Sequence, residues 1–451
     1  MKKFILIFFI CFTLQSQLLP PIQSYSPEDY KGANQNWDIT QSLDNDIFFA
    51  NSDGLLKYNG SQWTVFPSPG GVIVRSIKSV KNRVYAGLYE NFGYWEKNNQ
   101  GVYEFYSLSD DNKIVVENDE EFWNILHYDN WLIFQSLSRL IMYNESSKIF
   151  KFLNPNQDIF NSFIVDKHVY LTLSSGLYTL DEGKEVLLSN DSRLRNRSQS
   201  PHIVNIFKDN RNLLIITDKM EFFKLLPTGK LEAWNLKYND DFDYTSVNVY
   251  DAKRLKDGGF ALATVGKGLI LLNSNGEVIN IINKSKGIGN NTVLSLFEDF
   301  DNNLWLGLDN GISLINSKSA FKIFNDNDGR LGTVYASKLH NKYLYVGSNQ
   351  GLFFKRYQSK NDFKLIPNTI GQVWNLTEIN GDLFCGHNEG SFLINEGKAV
   401  KIPETAGTWS FKKPSKSLGL ILEGTYSGFN VLHKKNEKWT IRNKIKGFDI
   451  S

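Results

Sequence analysis

Ten segments of the sequence share one pattern: an alternating apolar run, a short polar stretch that usually contains a glycine, and a second apolar run. Well-preserved copies are IFFANSDGLLKY (47–58), LWLGLDNGISLI (304–315), LYVGSNQGLFFK (344–355) and LFCGHNEGSFLI (383–394). Two copies without the glycine are WLIFQSLSRLIMY (131–143) and LLIITDKMEFFKL (213–225). The repeat interval is about 37 to 48 residues, close to the length of one propeller blade, with anchors at positions 54, 93, 139, 176, 220, 268, 311, 351, 390 and 428.

Two further short apolar segments flank each copy. One precedes it, as in QNWDITQS (35–42), and one follows it, as in QWTVF (62–66) or FKIF (321–324). Four short strands per unit, with polar turns and no sustained helical period, predict an all-β chain. Four-stranded units repeated around an axis form a β-propeller, because neighbouring sheets bury each other's faces. An array of β-sandwiches is the alternative.

About ten blades exceed the four to eight of an ordinary propeller. We therefore expect a seven-bladed β-propeller at residues 27–330, followed by three blades of a second, incomplete β-propeller at residues 331–451. One ring of ten blades is the alternative. Because three blades cannot close a ring, we expect this chain to be a fragment of a longer protein or to need a partner.

The N-terminus predicts export. A basic start, MKK, precedes the apolar run FILIFFICFTL (4–14), which has the length of a signal peptide and is short for a membrane span. We assign residues 1–20 to a signal peptide. Cys11 lies within it, so Cys385 is left as a single thiol, for which a buried and unreactive position is the simplest expectation.

Charge and motifs exclude several classes of function. Formal net charge is +2, which gives no electrostatic footprint for nucleic acid. The six histidines have no metal-ligand spacing, and no nucleotide-binding or serine-hydrolase motif occurs, so we expect no metal, no cofactor and no catalysis. In DNNLWLGLDNGISLI (301–315), the spacing of the carboxylate and amide side chains differs from that of a calcium-binding loop. Asp309, Asn310 and Gly311 are interpreted as a turn between two strands.

Aromatic residues are the candidates for ligand binding. Four tryptophans occupy the same place in the first strand of their units, each followed by a small polar residue: Trp37 with Asp38, Trp123 with Asn124, Trp374 with Asn375, and Trp409 with Ser410. The first strand of a blade approaches the central channel, so these side chains could bind a ligand at its mouth. The hairpin YENFGYWEK (89–97) adds Tyr89 and Trp95. Packing between blades is the alternative for both groups.

The unit VLSLFEDFDNNLWLGLDNGISLIN (293–316) resembles the two-component regulator propeller repeat. The matching residues are Val293, Leu296, Asp299, Leu304, Trp305, Leu306, Gly307, Gly311 and Ile312, whereas Asn303 and Leu308 depart from the usual glycine and threonine. The opening segment 25–63 and YENFGYWEK resemble the start of one branch of these sensors. In that branch, two propellers precede a Tyr-rich sandwich domain, a membrane helix and a cytoplasmic kinase or helix-turn-helix domain, none of which follows here.

The resemblance implies a periplasmic ligand-sensing region of a membrane signal-transduction or transcription regulator. Its partners would be a small molecule or an oligosaccharide, and a second copy of the chain in a homodimer. The chain would bind no nucleic acid, would have no enzymatic activity, and would reach the inner membrane only through a C-terminal segment absent here. A secreted propeller that hydrolyses or cleaves polysaccharides and a secreted scaffold that binds another protein are the alternatives.

Overall fold

The computed structural model describes residues 19–181, 183–195, 201–238, 242–317, 319–324, 326, 329–357, 359, 362–414 and 419–448. The predicted signal peptide, residues 1–20, lies outside the described residues except for Leu19 and Pro20. Within those ranges, none of the helices has the length and apolar character that a membrane crossing needs.

The described chain folds into ten antiparallel sheets of four strands each, numbered here by the order of their first strands. Sheet 1 contains Asn36–Gln41, Ile47–Asn51, Gly54–Tyr58 and Trp63–Pro67. Sheet 2 contains Val74–Val80, Arg83–Leu88, Phe92–Lys97 and Tyr103–Ser107. Sheet 3 contains Asn124–Tyr128, Trp131–Gln135, Leu140–Asn144 and Phe150–Leu153. Sheet 4 contains Ile159–Val165, His168–Leu173, Gly176–Asp181 and Lys184–Ser189.

The next three sheets continue the pattern. Sheet 5 contains Ile203–Asp209, Asn212–Thr217, Phe222–Leu225 and Leu231–Ala233. Sheet 6 contains Val249–Arg254, Phe260–Thr264, Leu269–Leu272 and Val278–Ile282. Sheet 7 contains Val293–Glu298, Leu304–Leu308 and Ile312–Ile315, and its outer strand is Ile22–Tyr25.

The last three sheets follow after residue 333. Sheet 8 contains Val334–His340, Tyr343–Ser348, Leu352–Arg356 and Lys364–Leu365. Sheet 9 contains Val373–Ile379, Asp382–His387, Gly390–Asn395 and Lys398–Lys401, and sheet 10 contains Thr408–Lys412, Leu420–Thr425, Gly428–Lys435 and Lys438–Ile445. The described helices are single turns, at Pro27–Tyr30, Pro69–Gly71, Leu108–Asp111, Ser192–Leu194 and Lys284–Lys286. The predicted all-β fold built from four-stranded units is thereby confirmed.

Two compact units make up the chain. The first unit spans Pro20–Lys322 and contains sheets 1 to 7, and the second unit continues from Ile323 and contains sheets 8 to 10. The predicted boundaries of the two propellers, 27–330 and 331–451, stay a prediction.

The outer strand of sheet 7 comes from the beginning of the chain. Ile22–Tyr25 pairs antiparallel with Ile312–Ile315, so that Ile22 lies opposite Ile315 and Tyr25 opposite Ile312. The prediction that FKIF (321–324) forms this strand was therefore wrong. Its apolar alternation is local, whereas the N-terminal strand joins the two ends of the first unit, and only the folded chain brings those ends together.

The core of each unit lies between neighbouring sheets. Between sheets 1 and 2, for example, Phe48 and Leu55 pack against Ile77, Val84 and Trp95, all at most 2% exposed. Burying a large apolar side chain contributes about 2 kcal/mol, which makes these layers the main stabilising feature. Cys385 belongs to such a layer in sheet 9, where burial raises the pKa of its thiol and keeps it unreactive.

The turn between the second and third strands uses a residue in the left-handed region. In sheet 7, Asp309–Gly311 connects the two strands and Gly311 has a φ of 97°, as the sequence predicted. In sheet 2 the glycine that aligns the repeat, Gly93, is the second residue of the third strand Phe92–Lys97. There the Leu88 backbone N–H donates to the carbonyl of Asn91 and closes the turn.

A β-bulge opens the first strand of nine of the ten described sheets. In sheet 1 the pairing skips Trp37, because Asn36 pairs with Asn51 and Asp38 pairs with Ala50. A bulge leaves one residue unpaired and redirects its side chain. We call the unpaired residues the bulge residues. In the first unit they are Trp37, Arg75, Phe160, Val204, Tyr250 and Leu294, and in the second Tyr335, Trp374 and Trp409.

Candidate functional site

The bulge residues of the first unit line a cavity. Its volume is about 720 Å³, within the range of pockets that hold small organic ligands. All six of them contribute, together with Trp123, which precedes the first strand of sheet 3. Because each first strand supplies one side chain from the same register position, the sheets jointly form a single lining, which we call the channel cavity.

Arg75 lies against two indole rings that are nearly perpendicular to each other, at an interplanar angle of 82°. Its guanidinium carbon lies 4.2 Å from the ring centroid of Trp37 and 4.5 Å from that of Trp123. Glu121 fixes the guanidinium from behind, with its Oε1 atom 2.9 Å from Nε and 2.8 Å from Nη2. The rings contribute cation–π attraction as well as apolar contact, so this cluster is a mixed aromatic and cationic surface. Trp123 itself remains 38% exposed.

The polar residue after the bulge of sheet 1 and the one after Trp123 each connect neighbouring sheets. Asp38 accepts hydrogen bonds from the backbone N–H of Ile39 at 2.8 Å and of Ile77, in sheet 2, at 2.9 Å. Asn124 donates to the carbonyl oxygen of Ser162, in sheet 4, at 2.8 Å. In the structure these groups bond backbone atoms of the adjacent sheet, and both line the channel cavity. That Asp38 and Asn124 bind a ligand stays a prediction.

Asp251 repeats this arrangement in sheet 6. Its Oδ1 atom accepts from the N–H of Ala252 at 2.7 Å, and its Oδ2 atom accepts from Leu296, in sheet 7, at 3.0 Å. Burial in the channel raises the pKa of both Asp38 and Asp251 to about 6, although the backbone N–H bonds and the nearby charges of Lys78 and Lys253 lower it. Both carboxyl groups therefore titrate in the mildly acidic range.

The raised pKa values predict a pH-dependent stability of the first unit. Unfolded aspartate has a pKa of about 4, so the contribution of these carboxyl groups to folding is fully present below about pH 4 and is lost as the pH rises through about 6. We expect the unfolding free energy of the wild type, minus that of an Asp38→Asn/Asp251→Asn variant, to increase as the pH falls across this window. Urea denaturation followed by tryptophan fluorescence measures this difference, and a constant value would contradict the prediction.

Two lysines also line the same cavity, of which Lys78 is exposed and Lys253 is half-buried. Lys78 and Lys253 both line it, and each stands two residues after the polar residue that follows the bulge of its strand. The ammonium of Lys253 lies 5.2 Å from the ring of Phe297, and burial lowers its pKa. Neither ammonium forms a hydrogen bond or ion pair with any residue that the structure describes. The channel cavity thus combines aromatic faces with cationic groups.

In the second unit the predicted tryptophans lie in a separate aromatic row. Trp374 and Trp409 lie 4.9 Å apart between ring centroids, with Tyr335 beside Trp374 and Tyr426 beside Trp409, each at 5.0 Å. Trp374 Nε1 donates to the Tyr426 hydroxyl at 2.8 Å. Asn375 accepts a hydrogen bond from the Thr377 hydroxyl. The rings of this row are tilted against one another, and Trp409 is 48% exposed.

The two aromatic residues predicted from the second hairpin have different positions. Trp95 is 1% exposed within the core between sheets 1 and 2, so its ring offers no surface to a ligand. The alternation of the strand places it on the blade-facing side, which is the packing alternative. Tyr89 lies at the hairpin end, where its hydroxyl donates to Asp119 and this bond raises its pKa to about 12. Neither residue lines the channel cavity.

Among the residues of the channel cavity that sequence reasoning missed are Arg75, Lys78, Tyr250 and Lys253. A pattern based on tryptophan does not include Arg75 and Tyr250. Arg75 nevertheless precedes a serine and Tyr250 precedes an aspartate, as Trp37 precedes Asp38. Aligning the first strands on that small polar residue, rather than on tryptophan, would have placed them in the same register. Only this alignment would have revealed the cationic character of the cavity from the sequence.

One segment matches a known family, and the whole fold matches known structures. Residues 287–310 match the family described as Two component regulator propeller, which confirms the resemblance predicted from the sequence. No curated protein matches the sequence. Among solved structures, the extracellular domain of the hybrid two component system BT3049 from B. thetaiotaomicron is similar over 96% of this chain and 61% of that one, at 17% identity and a TM-score of 0.68.

Two further solved structures share the fold. The extracellular domain of the one component system BT4673 from B. thetaiotaomicron is 15% identical with a TM-score of 0.53, covering 96% of this chain and 61% of its own. A catalytically inactive virginiamycin B lyase from Staphylococcus aureus is 12% identical with a TM-score of 0.50, covering 65% of this chain and 98% of its own. These likenesses show a propeller fold, and the chain spans about 61% of the length of the two extracellular domains.

Proposed function

We propose that this chain is the ligand-sensing region of an exported signalling protein, and that it binds an oligosaccharide or a related small molecule without converting it. The observation that carries this proposal is the channel cavity, in which Trp37, Trp123 and Tyr250 supply aromatic surface beside fixed cationic groups. Aromatic rings stack on the apolar faces of sugars, and a few placed polar groups give orientation. The match to the regulator repeat at residues 287–310 supports a role in sensing.

The location and partners follow from the same proposal. The region would lie in the periplasm and be tethered to the inner membrane in a longer protein that carries the output domain. A ligand shifts a conformational equilibrium only by binding two states with different affinity, so the signal would be a change in the arrangement of blades or of two copies in a homodimer.

A polysaccharide hydrolase or lyase is the second candidate, favoured by the fold that this chain shares with the virginiamycin B lyase. The groups in the channel cavity argue against it. A glycosidase needs two carboxyl groups that are free to exchange protons with the substrate. Asp38 and Asp251 instead each accept two backbone N–H bonds, and no histidine is among the described lining residues. Binding without turnover is the better account of this geometry.

Titration calorimetry with a panel of disaccharides tests the proposal. We expect at least one sugar to bind, and Trp123→Ala to weaken it by about tenfold, since losing one stacking ring costs about 1.4 kcal/mol. Trp131→Ala is the matched control, because Trp131 lies in the same sheet and contacts Lys151 outside the channel cavity. Chromatography of the mixture should show unchanged sugar. Product formation by the wild type, or equal affinity in both variants, would contradict the proposal.

A further inference from the structure

Lys78 and Lys253 occupy the same register position in the first strands of their sheets. The equivalent residue, two places after the polar residue of each first strand, is apolar or a threonine in the other five sheets of the first unit: Thr40, Leu126, Phe163, Phe207 and Phe297. In the first unit sheets 2 and 6 place a charge there, with Lys78 and Lys253, and in the second unit sheets 8 and 10 do so, with Lys338 and Lys412. The fold therefore does not need lysine at this register, and packing alone does not explain the pair.

Neither lysine has an acceptor in the described structure. The nearest carboxylates by sequence register, Asp38 and Asp251, direct both oxygen atoms to backbone N–H groups and form no ion pair with the lysines. Removing an ammonium from water without an acceptor is unfavourable, which is why burial lowers the pKa of Lys253. An anion in the cavity would supply the missing acceptor.

Arg75 adds an independent observation. Its Nε and Nη2 atoms are bound by Glu121, but its Nη1 atom is buried and has no hydrogen-bond partner among the described residues. Leaving a buried donor without an acceptor is unfavourable. The guanidinium lies in the same cavity lining as Lys78 and Lys253, so three cationic groups there have unused donor capacity.

We propose that the channel cavity recognises an oxyanion, a carboxylate or a sulfate, carried on the ring-shaped ligand, with Lys78 and Lys253 as the residues that bind it. This rests on the proposed function, and it narrows the ligand to an acidic oligosaccharide. The rings of Trp37 and Trp123 would stack on the sugar while the ammonium groups hold its charge. Arg75 positions the two indoles and extends the positive field.

The test compares matched acidic and neutral sugars. The panel pairs digalacturonate with galactobiose, a glucuronate disaccharide with its glucose counterpart, and a sulfated with an unsulfated chondroitin disaccharide. Sodium sulfate alone is the free-anion probe. We expect the acidic member of at least one pair to bind tenfold or more tightly than the neutral member, with an affinity that falls as salt increases.

Variants assign the effect to the lysines. Lys253→Met and Lys78→Met should each weaken the acidic sugar about tenfold and leave any neutral sugar unchanged, and Lys253→Arg should retain binding. Lys151→Met is the matched control, because this ammonium also faces an aromatic ring, that of Trp131 at 5.1 Å, away from the cavity. Thermal melts confirm that each variant is folded.

The outcomes separate this inference from the proposed function. Equal affinity for neutral and acidic sugars would contradict oxyanion recognition and leave the proposed sugar sensing intact. The same holds if neither Lys→Met change affects binding of the acidic sugar. If sulfate binds as tightly as any disaccharide, oxyanion recognition is supported and sugar recognition is contradicted. Binding by no member of the panel would overturn both.

Discussion

An Asp299→Ala variant is expected to lose about 3 to 5 kcal/mol of unfolding free energy in the first unit. Asp299 is 5% exposed, and its carboxylate accepts three hydrogen bonds within the turn before the second strand of sheet 7. The donors are the Asn303 backbone N–H at 2.8 Å, the Asn303 side-chain amide at 3.0 Å and Trp305 Nε1 at 3.0 Å. Removing the carboxylate leaves these donors unsatisfied, with Trp305 only 3% exposed.

Chemical denaturation followed by tryptophan fluorescence measures this loss. Asp301→Ala is the matched control, because Asp301 is exposed in the same turn, and its change should stay within about 0.5 kcal/mol. Asp299→Asn, which keeps one acceptor oxygen, should lie between the two. Equal stability of the Asp299→Ala and Asp301→Ala variants would mean that the buried turn contributes nothing. The turn then could not explain why this copy of the repeat is so well preserved.

The Gly307→Ala variant is expected to destabilise the first unit by about 3 kcal/mol, the upper part of the range for overpacking. A Cβ atom at this position would lie 2.4 Å from the carbonyl oxygen of Asn36 and 2.1 Å from Ser295 Oγ. Asn36 begins sheet 1 and Gly307 lies in sheet 7, so the added methyl group would push apart the two ends of the first unit. The backbone atom cannot move without breaking the bond that Ser295 donates to it.

Gly424→Ala is the control for this substitution. Gly424 has the same register position in sheet 10, opposite Ser410, as Gly307 has opposite Ser295. There the nearest atom to an added Cβ is the mobile Ser410 Oγ at 3.1 Å, followed by a Phe429 ring carbon at 3.6 Å. The second unit should therefore lose less than about 1 kcal/mol. Comparable losses in both variants would show that the register position, and not the contact with Asn36, limits the side chain.

The repeat made much of the fold predictable. Alternating apolar residues with turns at regular intervals gave four-stranded units, and the turn at Asp309–Gly311 lies where the sequence placed it. Three of the four repeated tryptophans, Trp37, Trp374 and Trp409, share one register position at the bulges, whereas Trp123 precedes the first strand of sheet 3. Their surroundings were not predictable, because a register position fixes the direction of a side chain and not the identity of its neighbours.

The candidate site was therefore only partly predictable from the sequence. Trp37 and Trp123 could be selected from the sequence, but Arg75 between them could not, because the three residues come from three sheets and meet only when the sheets are adjacent. Asp38 was selected as a ligand-binding group. Its hydrogen bond to Ile77 depends on the distance between sheets 1 and 2, a quantity that no local pattern contains.

The sequence by itself determined the strands, the turns and the repetition, because each depends on residues within about 40 positions of one another. The tertiary structure alone decided that Ile22–Tyr25 completes sheet 7. It also decided that Lys78 and Lys253 share one cavity with the cluster of Trp37, Arg75 and Trp123. The physical reason is that hairpin pairing is encoded by neighbouring residues. Contacts between sheets instead depend on how the sheets pack against one another, and the chemistry of the cavity depends on those contacts.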